Sequence, residues 1–167
     1  RPLLGQTGSA QGHLAAQRVA PGDVFLFFGL FRPVQLRQRR WRFVPGSRPR
    51  HVLWGWLQIA EIITVDELAP EALPWARYHP HFRRDPEPNN TLFLATDALH
   101  CDGRSTGLPG AGVFPREGPE LRLTRPEARL PGQWHLPAAC HPETGREPLS
   151  YHHRAERWQR HDAVHCH

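Results

Sequence analysis

The 167-residue chain is 39% hydrophobic and carries 21 basic residues against 16 acidic ones, with three cysteines and no methionine. That length supports one domain with its own core, and no apolar run approaches the roughly 18–20 residues of a membrane-spanning helix. Cys101, Cys140 and Cys166 are odd in number and irregularly spaced, so they form neither a disulfide framework nor a zinc pair and fit a reducing cytoplasm.

Every basic residue is arginine, and the charge is unevenly placed. Residues 1–60 hold nine arginines against Asp23 alone, whereas residues 61–167 hold twelve arginines against fifteen acids. A localised basic face is the footprint of a polyanion partner; a solvated, arginine-biased loop is the alternative. The chain starts at Arg1 without a secretion leader, so the expectation is a cytoplasmic domain whose N-terminal portion is missing.

In chain order, Gly5, Gly8 and Gly12 break the opening stretch into a loop, and His13 to Arg18 reads as a short helix ahead of Pro21-Gly22. The glycine spacing matches neither phosphate-loop nor dinucleotide patterns. Pro21-Gly22-Asp23 is a turn signal. The aromatic and β-branched runs behind it, Val24–Phe31 and His51–Ile63, read as two core strands of a small barrel. Gly29 and Gly55 lie inside those runs, which marks a bulge or a close backbone approach.

Between the strands, Arg32, Arg37, Arg39, Arg40, Arg42, Arg48 and Arg50 interleave with Trp41 and Phe43. That pattern suits a phosphate backbone with stacked bases, or an amphipathic hairpin arm whose aromatics cap the core. Residues 66–75 read as a connector with at most one helical turn. His79-Pro80-His81, then Asn89-Asn90 at the start of a third strand, Thr91–Thr96, form the densest polar cluster. The two histidines suit metal ligation or acid–base work; imidazoles hydrogen-bonded to nearby backbone are the structural alternative. No carboxylate or thiolate at ligand spacing completes a zinc site. Residues 97–112 read as loop, with short strands at 112–114 and 121–124. Trp134 reads as a loop anchor, and a short helix is expected from about His153. The tail ending His165-Cys166-His167 has no periodicity.

These segments together resemble the nucleotide modification associated domain family, type three, bacterial and phage proteins found with systems that modify DNA bases. The resemblance rests on Gly5-Gln6-Thr7-Gly8 through Leu14, the two strands, Trp75 with His79-Pro80-His81-Phe82, and Asn89-Asn90-Thr91-Leu92. Gly112-Val113-Phe114 and Leu149-Ser150-Tyr151-His152 extend it. It implies a domain over residues 1–158 that is incomplete at its N-terminus, followed by an atypical tail at 159–167. The Gly-Asp turn into an apolar strand, and the glycine-containing strand after it, are also similar to PUA-like barrels such as the EVE and ASCH domains, some of which bind modified bases.

The expected fold is mostly β with short helices (α+β), a PUA-like small β-barrel in a single domain. The expected function is a DNA-binding module that reads a modified base. The seven arginines from Arg32 to Arg50 would neutralise phosphates, giving salt-dependent affinity. Gln11, His13, Trp54, Trp56, His79, His81 and Asn90 would line a base pocket by stacking and edge recognition. Alternation places Trp54 and Trp56 on one face, which suits barrel core equally well. No cofactor, metal or membrane partner is expected; partner proteins of a modification or restriction system are. The alternatives are an enzyme using His79 or His81 as general acid or base, oriented by Asp23 or Glu61, and a protein–protein adaptor.

Overall fold

The computed structural model describes residues 1–83, 87–141, 154–159 and 165–166. Arg84, the Leu149-Ser150-Tyr151-His152 segment, His153 and most of the 159–167 tail lie outside the described residues. The chain divides into two compact units, one of Arg1–Phe27 with Gly55–Val113 and one of Phe28–Trp54 with Phe114–His167. It is mostly β, with one α-helix among the described residues, and no helix described is long and apolar enough to cross a membrane.

In the first unit, strand β1 (Leu3–Gln6) precedes helix α1 (Gly8–Ala16). The opening stretch is therefore more ordered than its glycines predict. Gly5 is tolerated in β1 because strand pairing overrides propensity, and Gly8 supplies the positive φ, 58°, at which the helix begins. β1 pairs antiparallel with β6 (Thr91–Ala95), Gly5 standing opposite Leu92. The Gly8 amide donates to the Pro88 carbonyl at 2.9 Å, tying the start of α1 to the chain just ahead of β6.

Two strands have the bounds that their apolar runs imply. β2 spans Val24–Phe31 and β5 spans Arg50–Thr64, each contributing a part to both units. The sheet order is β1-β6-β5-β2, and β9 (Ala111–Val113) also pairs with β5. β2 is not a strand buried on both faces: Phe25 and Phe27 turn inward while Val24, Leu26, Phe28 and Leu30 stay exposed. β2 ends the sheet path, and its apolar residues occupy both faces of a period-two strand.

β6 is buried at every position. Phe93 and Ala95 join Leu57 and Ile59 in one cluster, packed by Leu14 of α1, Phe25 and Phe27. Leu92 and Leu94 point the other way, into a second cluster with Val65, packed by Leu73 and Phe82. The Phe25 and Phe93 rings meet edge-on with centroids 5.1 Å apart, a favoured aromatic geometry. Each fully buried side chain of this size stabilises by about 1.5–3 kcal/mol.

Residues 97–112, expected as loop, contain a second hairpin. β7 (Ala98–Cys101) and β8 (Arg104–Pro109) pair antiparallel across Asp102-Gly103. Both turn residues have positive φ, 49° and 73°, which is what a two-residue hairpin loop requires. Buried Gln58 fastens this hairpin to β5. Its Nε2 donates to the Gly22 and His100 carbonyls at 3.0 and 2.9 Å, and its Oε1 accepts the His100 amide at 2.8 Å.

In the second unit, β3 (Val34–Arg37) and β4 (Arg40–Phe43) form an antiparallel hairpin. The strand expected at 121–124 is instead a 3-10 turn, Pro119–Leu121, followed by isolated bridges Val52–Arg122 and Thr124–Trp134. Pro119 and Pro126 flank the segment and interrupt a regular ladder. Trp134 is an anchor: its indole N–H donates to His51 Nδ1 at 2.9 Å. Because an indole only donates, His51 Nδ1 is the acceptor. The nearby Pro131 carbonyl is served by the Thr124 hydroxyl at 2.6 Å. Phe28, His51 and Trp134 pack edge-on to one another at 5.1–5.4 Å. Leu136–Pro137 (β10) pairs with His165–Cys166 (β11), and the described part of the expected C-terminal helix is one 3-10 turn, Ala155–Arg157.

Candidate functional site

The β3–β4 hairpin separates its residues by chemistry. Val34 pairs with Phe43 and Leu36 with Trp41, while Gln35 pairs with Arg42 and Arg37 with Arg40. Because side chains alternate across a strand, one face is wholly apolar and the other is three arginines and a glutamine. Neither face is buried; Trp41 is 70% exposed. Arg37, Gln38 and Arg42 border a shallow depression. Arg39 stands at the tip, and both turn residues, Gln38 and Arg39, have positive φ, 51° and 63°. L-residues adopt that conformation reluctantly, so the tight turn holds strain at the tip of the arm.

Arg32, Arg48 and Arg50 lie in the same unit outside the hairpin and are partly engaged. The Arg32 guanidinium lies 4.6 Å from the Phe43 ring centre and its Nε donates to the Ser47 hydroxyl at 3.2 Å. Arg48 donates to the Ala128 carbonyl at 3.2 Å. Arg50 is half-buried in a cavity wall shared with Arg32, Glu117 and Arg122. Of the seven arginines, Arg37, Arg39, Arg40 and Arg42 are thus on the hairpin, and Arg32, Arg48 and Arg50 flank it in the chain.

The polar cluster of the first unit is built around Asn90, at the entry to β6. Asn90 Nδ2 donates to Asp66 Oδ1 at 3.2 Å and to the His81 carbonyl at 3.0 Å, so its Oδ1 faces the His81 ring, 2.6 Å from Nδ1. With an amide oxygen there, His81 Nδ1 carries a proton and donates it, and Nε2 forms the other edge of the ring. That edge lies against Gly5, where a Cβ would overlap the His81 ring and crowd His79. His79 Nδ1 faces the His81 backbone amide at 3.4 Å, and the two rings are 5.0 Å apart. Partial burial, and then the charge of His81, hold the His79 pKa below its ordinary 6.5. An imidazole oriented through an amide to a carboxylate, with a second imidazole of lowered pKa beside it, is an arrangement suited to proton transfer.

Comparison with known proteins bears on what these features serve. The model of the family described as nucleotide modification associated domain 3 matches residues 1–167. The chain belongs to that family. No curated protein and no solved structure matches it. A role connected with nucleotide modification follows from the family.

Within this family member, the predicted pocket residues divide. His79, His81 and Asn90 are in contact, as above. Gln11 is on α1, 8% exposed, with Oε1 lacking a donor among the described residues. The next residue, Gly12, faces the Asn89 amide. His13 is half-buried in the last turn of the same helix. Trp56 is in the core: its ring packs over Gly112, its cross-strand partner, and its N–H donates to the Pro109 carbonyl at 3.0 Å. Trp54 belongs to the second unit, 42% exposed beside a small cavity with Phe31, Val52 and Phe114. The third member of the Asn90 network, Asp66, escaped the sequence reading, which proposed Asp23 and Glu61 as orienting acids. Asp23 Oδ2 instead accepts the Ala20 amide at 2.9 Å and closes the turn, and Glu61 is exposed on β5. Among the described residues no group of three or more His, Cys, Asp or Glu is arranged to hold a metal ion.

Proposed function

We propose that this protein is a nucleic-acid-binding module of a DNA base-modification system, and that it engages DNA carrying modified bases through the β3–β4 arm. One observation carries the reading: three arginines share one face of an exposed two-stranded ribbon, with a fourth at its tip. A two-stranded β-ribbon fits the major groove of duplex DNA, and guanidinium groups pair with phosphate oxygens or with the acceptor edge of guanine. The exposed aromatic face gives the arm a stacking surface for an extruded base. A PUA-like barrel belongs to the same reading, as do a cytoplasmic setting and partner proteins of a modification or restriction system.

The test is fluorescence anisotropy of the full chain on duplexes with and without 5-hydroxymethylcytosine, over a salt series. The expected result is salt-sensitive binding, tighter on the modified duplex. The Arg37→Ala/Arg40→Ala/Arg42→Ala variant should flatten the dependence of log affinity on log salt by roughly 0.9 per lost phosphate contact. Binding absent at low salt, or unchanged in the variant, overturns the reading.

A second reading rests on the Asp66–Asn90–His81 network and the neutral His79. It makes the first unit an acid–base centre acting on a nucleobase or nucleotide. Turnover lost in His81→Gln but kept in the arginine variant favours it.

A further inference from the structure

The second unit holds a cavity of about 360 Å³ lined by Arg125, Gln133, Trp134, Leu136, Arg157 and Trp158. That volume lies at the small-ligand end of the range for binding pockets. None of these residues belongs to the β3–β4 arm or to the imidazole cluster.

Four features indicate the occupant. The Trp134 ring cannot turn freely, because His51 accepts its N–H and Phe28 and His51 pack against it edge-on. Trp158 is braced by the His141 ring, 5.7 Å away. Arg125 Nε is enclosed and has no acceptor among the described residues, although its backbone amide is bonded to the Gln133 carbonyl at 3.0 Å. A buried donor left unmatched is costly, and Arg125 itself lines the cavity, so its guanidinium is at hand for an acceptor placed there. Gln133 Oε1 already accepts the Arg129 and Leu130 amides at 2.8 and 3.2 Å, so its amide orientation is set and its NH₂ remains as donor. Among the described residues no carboxylate lines the cavity, and Arg157 adds a second guanidinium at an exposed position.

Indoles, guanidiniums and an oriented amide donor call for a planar, acceptor-rich, anionic ligand. Indoles supply stacking for any base; Arg pairs in a fork with phosphate oxygens or with guanine O6 and N7. We infer that this cavity binds a nucleotide, its base against the indoles and its acceptor groups on Arg125, Gln133 and Arg157. Among bases, guanine offers the two-acceptor edge that an arginine fork matches. Thymine offers carbonyls without that fork geometry. Adenine N6 and cytosine N4 present donors on the edge where guanine accepts. The expected order is dGMP, then dTMP, then dAMP and dCMP.

Isothermal titration calorimetry of the full chain with each 5′-monophosphate, and with inorganic phosphate alone, tests this. One-to-one binding is expected, tightest for dGMP and at least tenfold tighter than phosphate. Trp158→Ala and Arg125→Gln should each weaken dGMP at least fivefold. Arg157→Ala, at an exposed position that leaves folding intact, should weaken it about threefold. The triple-alanine arm variant should bind dGMP like the parent, so failure of the duplex reading and failure of this one are separately visible. Absence of saturable binding for all four nucleotides, phosphate binding as tightly as dGMP, or dGMP affinity unchanged in Arg157→Ala and Trp158→Ala, each overturns the inference.

Discussion

Strand β6 and the β3–β4 hairpin draw on the same residue types and use them in opposite ways. In β6, Leu92, Phe93 and Leu94 are excluded from solvent by two clusters, one on each side. In the hairpin, Val34, Leu36, Trp41 and Phe43 align just as regularly and remain at least half exposed. The difference lies in what each strand is paired with. β6 has β1 on one side and β5 on the other, whereas β3 and β4 have only each other. A lone two-stranded hairpin is marginal in water, so an arm that keeps an apolar face outside is better suited to contact than to packing. Large exposed apolar surface of this kind marks interaction sites.

The largest expected effect sharpens that contrast. Phe93→Ala removes a ring that is 1% exposed and should cost about 3–5 kcal/mol in urea unfolding. Trp41→Ala removes a larger ring and should change stability by less than about 0.5 kcal/mol, while weakening duplex binding. Comparable losses from the two would mean that the arm is packed in solution, and the contrast would fall.

Next in size is Asn90→Ala. It deletes a buried side chain that bonds the His81 ring, the His81 carbonyl and Asp66. Leaving buried polar groups unmatched should cost about 1–3 kcal/mol, less than the loss of Phe93. The accompanying signature is in NMR: the slowly exchanging His81 Nδ1–H resonance should vanish while amide signals of the hairpin stay in place.

How much of this was legible beforehand follows the range of the forces. The aromatic and β-branched runs behind Pro21-Gly22-Asp23 and at Thr91 mark β2, β5 and β6 closely, because strand pattern and turn chemistry are local signals. Asp102-Gly103 was an equally local hairpin signal, overlooked among the many glycines of that stretch. Gln38-Arg39 carried no such signal, since neither residue favours positive φ. The His-Pro-His and Asn-Asn density marks residues that do meet, His79, His81 and Asn90. The cluster's completion did not show, because Asp66 and Gly5 meet it only through β1–β6 and β5–β6 pairing. Alternation left core and pocket equally open for Trp54 and Trp56 alike; what buries Trp56 is Gly112 standing opposite it. The arm's alternating chemistry was readable from residue order, whereas its exposure was not.

That unfavourable turn gives a smaller test. Replacing Gln38-Arg39 by Asn-Gly supplies residues suited to positive φ at both positions and should stabilise the chain by about 1 kcal/mol. If Arg39 contacts DNA from the tip, the more stable variant should bind duplex more weakly. A gain in stability with unchanged affinity would remove the tip from the interface and leave the role to Arg37, Arg40 and Arg42.

The smallest effect separates the two regions by pH. The arm's cations are arginines, which stay protonated throughout the accessible range, so their contribution to DNA affinity should be flat between about pH 5 and 8. His79 behaves differently. Its folded pKa lies below the ordinary 6.5, through burial first and the His81 charge second, so below 6.5 the unfolded chain binds the proton more readily than the folded one. The stability tied to His79 is therefore complete above 6.5 and is lost as pH falls from 6.5 toward the lower folded value. Urea midpoints measured across that window should decline for the parent and decline less for His79→Gln, whereas the triple-alanine arm variant should follow the parent. A His79→Gln profile parallel to the parent's would show that the imidazole titrates alike in both states, and the cluster would lose its claim to a preferentially neutral base.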